Sequence, residues 1–301
     1  MLSNKTCIVA GAGTGIGRAV AVELASAGAN VVVNDLGTSL DGEGETDEPL
    51  EETVETIEEN GGTALAHFGD ISSFDYTERL VDDTLEEFGR IDGAVNFAGI
   101  LRDSISYKMT PEMWDDVVRV HLRGHFALFR NVAAHWREVA REEDDYLDQS
   151  RSFVSVSSRS ALGKIGQINY SSAKAGILGM TRTGARELDR YNVRVNAIVP
   201  SAYTRMLETV PEEKRSYTRE DMPPERIGAI VTYLMSDEAE GITGQTFRAG
   251  GDGVGIIKDP EIHRLGFNEG GWTAEDIAER FWDSVGEDVD KKNLERAGGS
   301  L

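Results

Sequence analysis

In the segment 170–174, Tyr170 and Lys174 have the types and the spacing that proton transfer requires. A tyrosine and a lysine four residues apart lie on the same side of a helix. Because an ammonium stabilises a neighbouring phenolate, we expect Lys174 to lower the pKa of Tyr170, which can then exchange a proton with an alcohol or ketone oxygen. Such pairs are also common on protein surfaces, and catalysis is favoured by Ser157, which lies 13 residues before the tyrosine at the end of a predicted strand. The three side chains predict interconversion of a secondary alcohol and a ketone.

A glycine-rich turn follows the first apolar run of the chain and precedes an amphipathic stretch. It contains Gly11, Gly15 and Gly17, with Ile16 between the last two. Glycines in such a turn let backbone N–H groups approach a pyrophosphate at a helix N-terminus, where the helix dipole favours an anion. A glycine-rich stretch alone is weak evidence, but a strand before it and a helix after it are typical of a dinucleotide site. We expect all four residues to bind a dinucleotide cofactor.

The second apolar run ends at an acidic residue, Asp35, 24 positions beyond Gly11. A carboxylate at this place can accept hydrogen bonds from the ribose hydroxyls of NAD, and it would repel the additional phosphate of NADP. The sequence therefore predicts NAD as the cofactor. After the third run, Asp70 and Ile71 are candidates for contact with the adenine ring, although Asp70 is equally suited to cap a helix.

The elements that position these residues alternate along the chain. Short apolar and β-branched runs predict strands at 6–10, 30–34, 63–67, 94–97, 152–156, 194–198 and 245–248. Helical periodicity predicts helices near 16–27, 49–60, 72–88, 110–141, 171–190 and 224–235. Strands that are almost wholly apolar and are separated by helices indicate a parallel sheet that is covered on both faces.

This alternation predicts an α/β fold: a single doubly wound parallel sheet of the Rossmann type, with helices on both faces and a C-terminal helical extension. We expect a dinucleotide-binding catalytic domain over residues 1–250, and an extension over 251–301 that packs on this domain or on a neighbouring subunit. Thr273 and Asp276 have the spacing of a capping box that would begin a helix in the extension. The irregular segment 201–223 is long enough for a mobile lid over the substrate.

These motifs make residues 5 to about 250 resemble the short-chain dehydrogenase/reductase family. The resemblance is carried by the glycine turn, Asp35, Asp70, the segment 96–99, Ser157 and the pair of Tyr170 and Lys174. It implies that the tyrosine exchanges the proton, that the lysine also binds the nicotinamide ribose, and that the serine holds the substrate oxygen. It further implies a homodimer or homotetramer, and cofactor contacts by Tyr170, Lys174, Asn96, Ala98 and Gly99.

Three positions depart from the usual pattern of that family. Phe97 replaces the second asparagine of an Asn-Asn-Ala-Gly motif, and Pro200-Ser201 replaces a Pro-Gly pair. Thr204 follows that pair with a hydroxyl placed to meet the nicotinamide amide, so we expect it to bind the cofactor. His121 replaces a helix asparagine that often completes a proton relay, and we expect its polar side chain to support catalysis in the same way.

Four segments resemble a narrower group, the 3-hydroxyacyl-CoA dehydrogenase domain of peroxisomal multifunctional enzyme type 2: residues 34–37, 99–103, 121–124 and 166–170. This resemblance implies a (3R)-3-hydroxyacyl thioester, or its 3-oxo counterpart, as the small-molecule substrate. The alternatives are a 3-oxoacyl reductase of fatty-acid or polyhydroxyalkanoate synthesis, against whose NADPH-driven chemistry Asp35 weighs, and a sugar or steroid alcohol dehydrogenase. A non-catalytic NAD sensor is disfavoured because Ser157, Tyr170 and Lys174 are all present.

Composition narrows the classes of partner. The net charge is −22 and only 8 of the 31 basic residues are lysines. Such a surface repels nucleic acid, and acid excess with few lysines is the composition expected of a halophilic protein. With no apolar run of about 18 residues and no signal sequence, we expect no membrane partner and a cytoplasmic location. The five histidines and the acids form no evident ligand set, which predicts no metal, and Cys7 is expected to be a small buried filler.

Overall fold

The structure, a computed structural model, describes residues 1–143, 146–208, 215, 217–258 and 260–287 of the 301-residue chain. The chain divides into two compact units, Met1–Ile257 and Lys258–Leu301. The first unit holds the whole sheet and extends past residue 250, where the sequence placed the end of the catalytic domain. The second unit contains one short helix among its described residues.

Eight strands of the described residues form one sheet in the order β3-β2-β1-β4-β5-β6-β7-β8. The first seven pair in parallel, and β8 runs antiparallel to β7 at the edge. All seven predicted strands are present, which confirms the doubly wound α/β prediction. The bounds are β1 (Thr6–Ala10), β2 (Asn30–Asp35), β3 (Thr63–Phe68), β4 (Gly93–Asn96), β5 (Arg151–Val156), β6 (Val193–Pro200), β7 (Thr246–Gly250) and β8 (Gly253–Ile257).

The eighth strand was not predicted. It follows β7 after the two-residue turn formed by Gly251 and Asp252, and Gly251 has a φ of +54°. Val254 and Ile256 on this strand are 65% and 67% exposed, so no buried apolar run marked it in the sequence. A glycine-containing two-residue turn between short apolar segments is a hairpin signal, and it could have identified the strand.

Helices connect the strands, and their ends follow from local sequence. Ser73 accepts a hydrogen bond from the Tyr76 N–H at the start of α3, and Thr110 accepts one from the Met113 N–H at the start of α4. The bounds are α1 (Gly15–Ser26), α2 (Glu48–Glu59), α3 (Phe74–Phe88), α4 (Pro111–Val118), α5 (Gly124–Glu142), α6 (Ile168–Leu188), α7 (Arg205–Glu208), α8 (Glu225–Met235) and α9 (Ala274–Arg280).

The predicted helix at 110–141 differs from what the structure contains. One π turn, Arg119–Arg123, separates α4 from α5. Such turns widen a helix by one residue and often occur at functional sites. His121, one of the predicted catalytic residues, lies in this turn.

The core consists of two apolar layers, one on each face of the sheet. Val9, Val31 and Val33 belong to the layer that also contains residues of α1, α2 and α8. Ile8 and Val32 belong to the layer that contains residues of α3, α5 and α6. Because successive strand residues point to opposite faces, the five strands β1, β2 and β4 to β6 each contribute to both layers. The buried parallel strands bring their carboxyl ends to one edge of the sheet, and the chain direction of the crossovers changes between β1 and β4.

Cys7 is completely buried in the first of these layers. Burial raises the pKa of its thiol to about 12, with a smaller contribution from the charge of Asp92. A thiol that is neutral and inaccessible is a poor nucleophile. The cysteine therefore serves as the small core residue that the sequence predicts.

Candidate active site

The glycine turn lies at the carboxyl end of β1. Gly11 has a φ of +69°, and a Cβ there would lie 2.2 Å from the backbone nitrogen of Ala98. A Cβ at Gly17 would lie 1.9 Å from the carbonyl oxygen of Gly11. Gly15 has a φ of +59° and open space around it, since the nearest atom to its Cβ position is a methyl carbon of Thr204 at 3.9 Å. Gly17 thus allows the turn to close on itself, and Gly11 allows the segment after β4 to approach it. Gly15 leaves an open cradle at the start of α1 that fits a pyrophosphate.

Asp35 lies beside this turn, where the sequence predicts it. One carboxylate oxygen accepts a hydrogen bond from the Gly13 N–H at 2.7 Å, and the other accepts one from the Gly37 N–H at 2.7 Å. A Cβ at Gly13 would lie 3.0 Å from the Asp35 carboxylate, so glycine leaves room for this approach. A negative charge held at this distance from the pyrophosphate cradle suits the hydroxyls of the adjoining ribose.

Asp70 follows β3 and its carboxylate is already engaged by the protein. One oxygen accepts hydrogen bonds from the Ser72 N–H at 2.8 Å and from the Ser72 hydroxyl at 2.7 Å, and the other pairs with Arg119 at 2.8 Å. The cap of α3 is Ser73, so Asp70 shapes the turn that precedes the helix. Ile71 is 3% exposed and belongs to the core. Contact of Asp70 and Ile71 with the adenine ring stays a prediction.

The segment after β4 closes the other side of the glycine turn. The Asn96 side-chain oxygen accepts a hydrogen bond from the Ala98 N–H at 2.8 Å, while its side-chain nitrogen has no hydrogen-bond partner among the described residues. A Cβ at Gly99 would lie 2.2 Å from the His121 ring. Gly99 therefore permits His121 to pack against this segment. This packing explains the glycine independently of the cofactor contact that the sequence predicts for it.

Tyr170 lies in the first turn of α6, which is anchored to neighbouring loops. The Asn169 side chain donates hydrogen bonds to the carbonyl oxygens of Arg102 and Met113 at 3.0 and 2.9 Å, and it accepts one from the Tyr170 N–H. Burial raises the pKa of Tyr170, and the charge of Asp103 raises it further, whereas a side-chain hydrogen bond from Ser158 lowers it. The sequence-based expectation of a lowered pKa is therefore wrong for this structure, because burial outweighs the stabilising contacts.

Lys174 lies one helical turn beyond Tyr170, as predicted. Its ammonium nitrogen is 5.5 Å from the centre of the tyrosine ring and donates a hydrogen bond to the Val156 carbonyl oxygen at 2.8 Å. The lysine is 3% exposed, and burial lowers its pKa to about 7. In the structure it is therefore the pKa of Lys174 that is lowered, whereas the sequence predicted a lowered pKa for Tyr170.

Two consecutive serines follow β5 and face this pair differently. The Ser157 hydroxyl donates a hydrogen bond to the Lys174 carbonyl oxygen at 2.8 Å. The Ser158 side chain is hydrogen-bonded to Tyr170. Sequence reasoning selected Ser157 from its spacing and missed Ser158, although two adjacent hydroxyls at the end of a predicted strand are a visible signal.

His121 brings a neutral imidazole against the tyrosine. The ring centres of His121 and Tyr170 are 4.9 Å apart in an edge-to-face arrangement. The Nε2 atom of His121 is 2.9 Å from the Ile100 carbonyl oxygen and 3.2 Å from the Ile100 nitrogen, while its Nδ1 atom has no hydrogen-bond partner within the described chain. Burial lowers the pKa of His121 well below its usual value, and the charge of Lys174 lowers it further. At neutral pH this histidine is uncharged.

The segment after β6 returns to the glycine turn. Thr204 lies near Gly15, and Arg205 donates a hydrogen bond to the Thr14 hydroxyl at 2.8 Å. Arg205 was not predicted, yet it places a guanidinium beside the cradle, where an anion would bind. Residues 209–214 and 216 of the predicted lid lie outside the described residues.

The described residues contain neither a helix that could span a membrane nor a cluster of potential metal ligands. Across the described ranges, no helix is both long and apolar enough to cross a bilayer. In the same ranges no three side chains of histidine, cysteine, aspartate or glutamate are grouped as metal ligands would be.

Comparisons with known proteins identify the family. A solved structure of a short chain dehydrogenase from Mycobacterium avium is 36% identical, with a TM-score of 0.82 and coverage of 95% of both chains. A family model described as enoyl-(acyl carrier protein) reductase matches residues 11–251. The chain belongs to the short-chain dehydrogenase/reductase family. It is therefore an oxidoreductase that uses a nicotinamide cofactor, NAD or NADP, which confirms the resemblance found in the sequence.

Two relatives of this short-chain dehydrogenase/reductase bear on its reaction, and the first is named for one. Hydroxyacyl-CoA dehydrogenase ChsB1 of Mycobacterium tuberculosis is 38% identical over 267 residues, which cover 87% of this chain and 82% of that protein. Peroxisomal multifunctional enzyme type 2 of Mus musculus is 37% identical over 256 residues, which cover 85% of this chain and 33% of that longer protein. The narrower resemblance noted in the sequence is confirmed by the second of these matches.

The buried lysine of this short-chain dehydrogenase/reductase has a measurable effect on stability. Because its pKa falls from 10.5 to about 7 on burial, the ammonium destabilises the folded protein below pH 7, and the penalty disappears as the pH rises to 10.5. Lys174→Met should therefore raise the Tm by roughly 5 °C or more near pH 6. The gain should shrink steadily at higher pH.

Thermal denaturation of both proteins between about pH 6 and pH 10.5 measures this difference. Lys164→Met is the matched control, because Lys164 is an exposed lysine in the segment between Ser157 and Tyr170. Its Tm difference from the unmodified protein should not follow the same trend. A gain for Lys174→Met that is constant across the pH range would contradict the assignment of a lowered pKa.

Proposed function

We propose that this enzyme interconverts a (3R)-3-hydroxyacyl thioester and its 3-oxo counterpart with NAD as its cofactor. The proposal rests above all on one observation: Tyr170, Lys174 and two serines lie together after the carboxyl end of β5, at the sheet edge where the glycine turn follows β1. Each of these groups has a role in moving a proton on or off an oxygen atom next to a bound nicotinamide.

The roles follow from the chemistry of each side chain. A bound nicotinamide ring would supply or accept the hydride. Tyr170 is a neutral phenol at neutral pH, since burial raises its pKa, so it donates a proton to the oxygen of a ketone and takes one back from an alcohol. Lys174 adds positive charge when protonated, and its pKa near 7 lets it exchange protons at ambient pH.

The serines would hold the oxygen of the substrate. Ser158 already contacts Tyr170, and the Ser157 hydroxyl would have to leave the Lys174 carbonyl oxygen by rotation about its χ1 angle before it could hold a substrate. His121 is neutral and lies edge-to-face against the ring of Tyr170. It would support the proton relay by placing a polar side chain against that ring. We propose Ser157, Tyr170, Lys174 and His121 as the catalytic set, with Ser158 beside them.

The proposed choice of NAD rests on Asp35. Its carboxylate accepts hydrogen bonds from the backbone N–H groups of Gly13 and Gly37 beside the cradle. These two donors carry no charge, so they leave the negative charge of the carboxylate uncompensated. Gly11, Gly15, Ile16 and Gly17 would hold the pyrophosphate, and Thr204 the nicotinamide end. Asn96, Ala98, Gly99, Asp70 and Ile71 would complete the cofactor site.

The thioester substrate is supported by the apolar rim of the site as well as by the names of the relatives. Leu162, Ile165 and Ile168 are 64%, 91% and 47% exposed in the segment after the two serines. The Ser104 N–H donates to the Gly166 carbonyl oxygen at 2.9 Å, which joins this segment to the loop after β4. An apolar rim suits an acyl chain and offers little to a sugar.

A substrate panel tests the function. We expect oxidation of (3R)-3-hydroxyacyl-CoA with NAD to exceed that of the (3S) enantiomer, of sugars and of steroid alcohols by at least about tenfold in kcat/KM. Nicotinamide absorbance follows the reaction, at low and at molar salt. Preference for a 3-oxoacyl carrier-protein substrate with NADPH would favour the alternative of a 3-oxoacyl reductase of synthesis, and activity on sugars or steroids alone would contradict both.

Several other expectations stay predictions. Assembly as a homodimer or homotetramer is consistent with the exposed aromatic side chains Trp114 and Phe126 on α4 and α5. The capping box of Thr273 and Asp276 begins α9, as predicted, within the second unit. Three further predictions rest on the sequence alone: the surface on which the extension packs, the halophilic character and the cytoplasmic location.

A further inference from the structure

His125 lies one turn beyond His121 on α5 and has no exposed surface. Its Nε2 atom is 3.2 Å from the Val156 nitrogen, and its Nδ1 atom is 2.6 Å from the His121 carbonyl oxygen. A backbone N–H is only a donor, so Nε2 must accept, and Nδ1 must carry the proton and donate. The imidazole thus bridges the π turn and the end of β5.

Val156 needs such a partner because the sheet is incomplete at this point. The pairing of β4 with β5 ends at Val95 and Val154, so the backbone groups of Val156 that face this side have no strand beside them. His125 accepts from the Val156 N–H, and Lys174 donates to the Val156 carbonyl oxygen at 2.8 Å. The histidine and the lysine together take the place of the missing strand.

The resulting hydrogen bonds form one chain. It runs from the His121 carbonyl oxygen through the His125 ring and the Val156 backbone to the Lys174 ammonium. Successive hydrogen bonds in a buried setting polarise and order one another. Both serines follow Val156 directly, so the same anchor sets their position.

Charge does not explain the place of His125. Burial lowers its pKa to about 3, and the charge of Lys174 lowers it further, while the carbonyl oxygens of His121 and Asn96, which would accept from a charged ring, raise it. The other titratable groups near Lys174 are Tyr170 and His121. The imidazole of His125 is therefore neutral throughout the range in which the enzyme would work.

We propose that His125 is a positioning residue that holds Lys174 at its distance from Tyr170 by fixing the Val156 backbone. This inference rests on the proposed catalytic role of Lys174. It assigns to His125 no proton transfer and no contact with substrate or cofactor.

Two amide variants test which contact matters. Glutamine at 125 places its amide near the position of Nε2 and can accept from Val156, whereas asparagine reaches only the position of Nδ1 and the His121 carbonyl oxygen. We expect His125→Gln to keep kcat within about threefold, and His125→Asn to lower kcat about tenfold or more with little change in the KM of the substrate. Equal losses in both variants would overturn the proposal.

A double-mutant cycle separates a positioning role from a general loss of structure. His125→Asn should lower single-turnover rates in the unmodified enzyme, and it should have no further effect in a Lys174→Met background. The same loss in both backgrounds would overturn the proposal, even if Lys174 is catalytic. If Lys174→Met alone left turnover unchanged, the proposed function of the lysine would fail instead. His135→Gln, on the same helix, is the control and should leave the rates unchanged.

Discussion

Replacement of Tyr170 by phenylalanine should lower turnover by at least about 100-fold while the enzyme still binds NADH. The substitution keeps the ring that packs edge-on against His121. It removes the hydroxyl, which carries the exchangeable proton of the site. The hydroxyl also takes part in the hydrogen bond with Ser158, so this contact is lost as well. The effect should appear mainly in kcat, because proton transfer contributes to the transition state more than to binding.

Steady-state kinetics with the best substrate of the panel, together with NADH titration by fluorescence, measures both properties. Tyr191→Phe is the matched control, since Tyr191 packs against the core away from the site and beside Arg190. That variant should retain normal turnover. Near-normal turnover of Tyr170→Phe would remove the tyrosine from the proton-transfer step.

Replacement of Asp35 by alanine should weaken NAD binding and strengthen NADP binding. Both changes should lower the ratio of the affinity for NAD to the affinity for NADP. The Asp35 carboxylate would lie close to the additional phosphate of NADP, whose charge is near −2. Like charges at this range cost about 1–4 kcal/mol when partly screened, which corresponds to about tenfold to a thousandfold in affinity. The uncharged Asp35→Asn variant should lose the same repulsion while it keeps a hydrogen-bond acceptor.

Titration with both cofactors at low and at molar salt measures this preference. High salt should reduce the preference for NAD without reversing it, because screening weakens the repulsion. Asp41→Ala removes an exposed carboxylate from the loop that follows the same strand, and it should leave the ratio unchanged. If the unmodified enzyme preferred NADP at both salt concentrations, the carboxylate of Asp35 would not face the ribose as proposed.

The sequence by itself determined the architecture and the places where chemistry can occur. Strand and helix periodicity are local properties, so the seven parallel strands and the alternation with helices were predictable without knowledge of any long-range contact. The glycine turn and Asp35 were predictable for a related reason. A turn that closes on itself, as at Gly17, permits only the smallest residue, and the carboxylate at the end of the next strand must lie beside it.

Only the tertiary structure decided the electrostatics of the site. The spacing of Tyr170 and Lys174 predicted their proximity, but whether the tyrosine or the lysine shifts its pKa downward depends on how deeply each is buried. The depth of burial is the sum of packing from several distant elements. No local pattern in the sequence reports that sum.

The roles of neighbouring polar groups also required the folded chain. Ser157 and Ser158 are adjacent in sequence, yet alternate directions along the chain turn one hydroxyl to the Lys174 carbonyl oxygen and the other to Tyr170. The π turn interrupts a helical pattern that is continuous in the sequence, and the bond from the Val156 N–H to His125 lies beyond the last pair of β4 with β5. Such features depend on which backbone groups find a hydrogen-bond partner when distant segments pack together. A local sequence pattern does not contain this information.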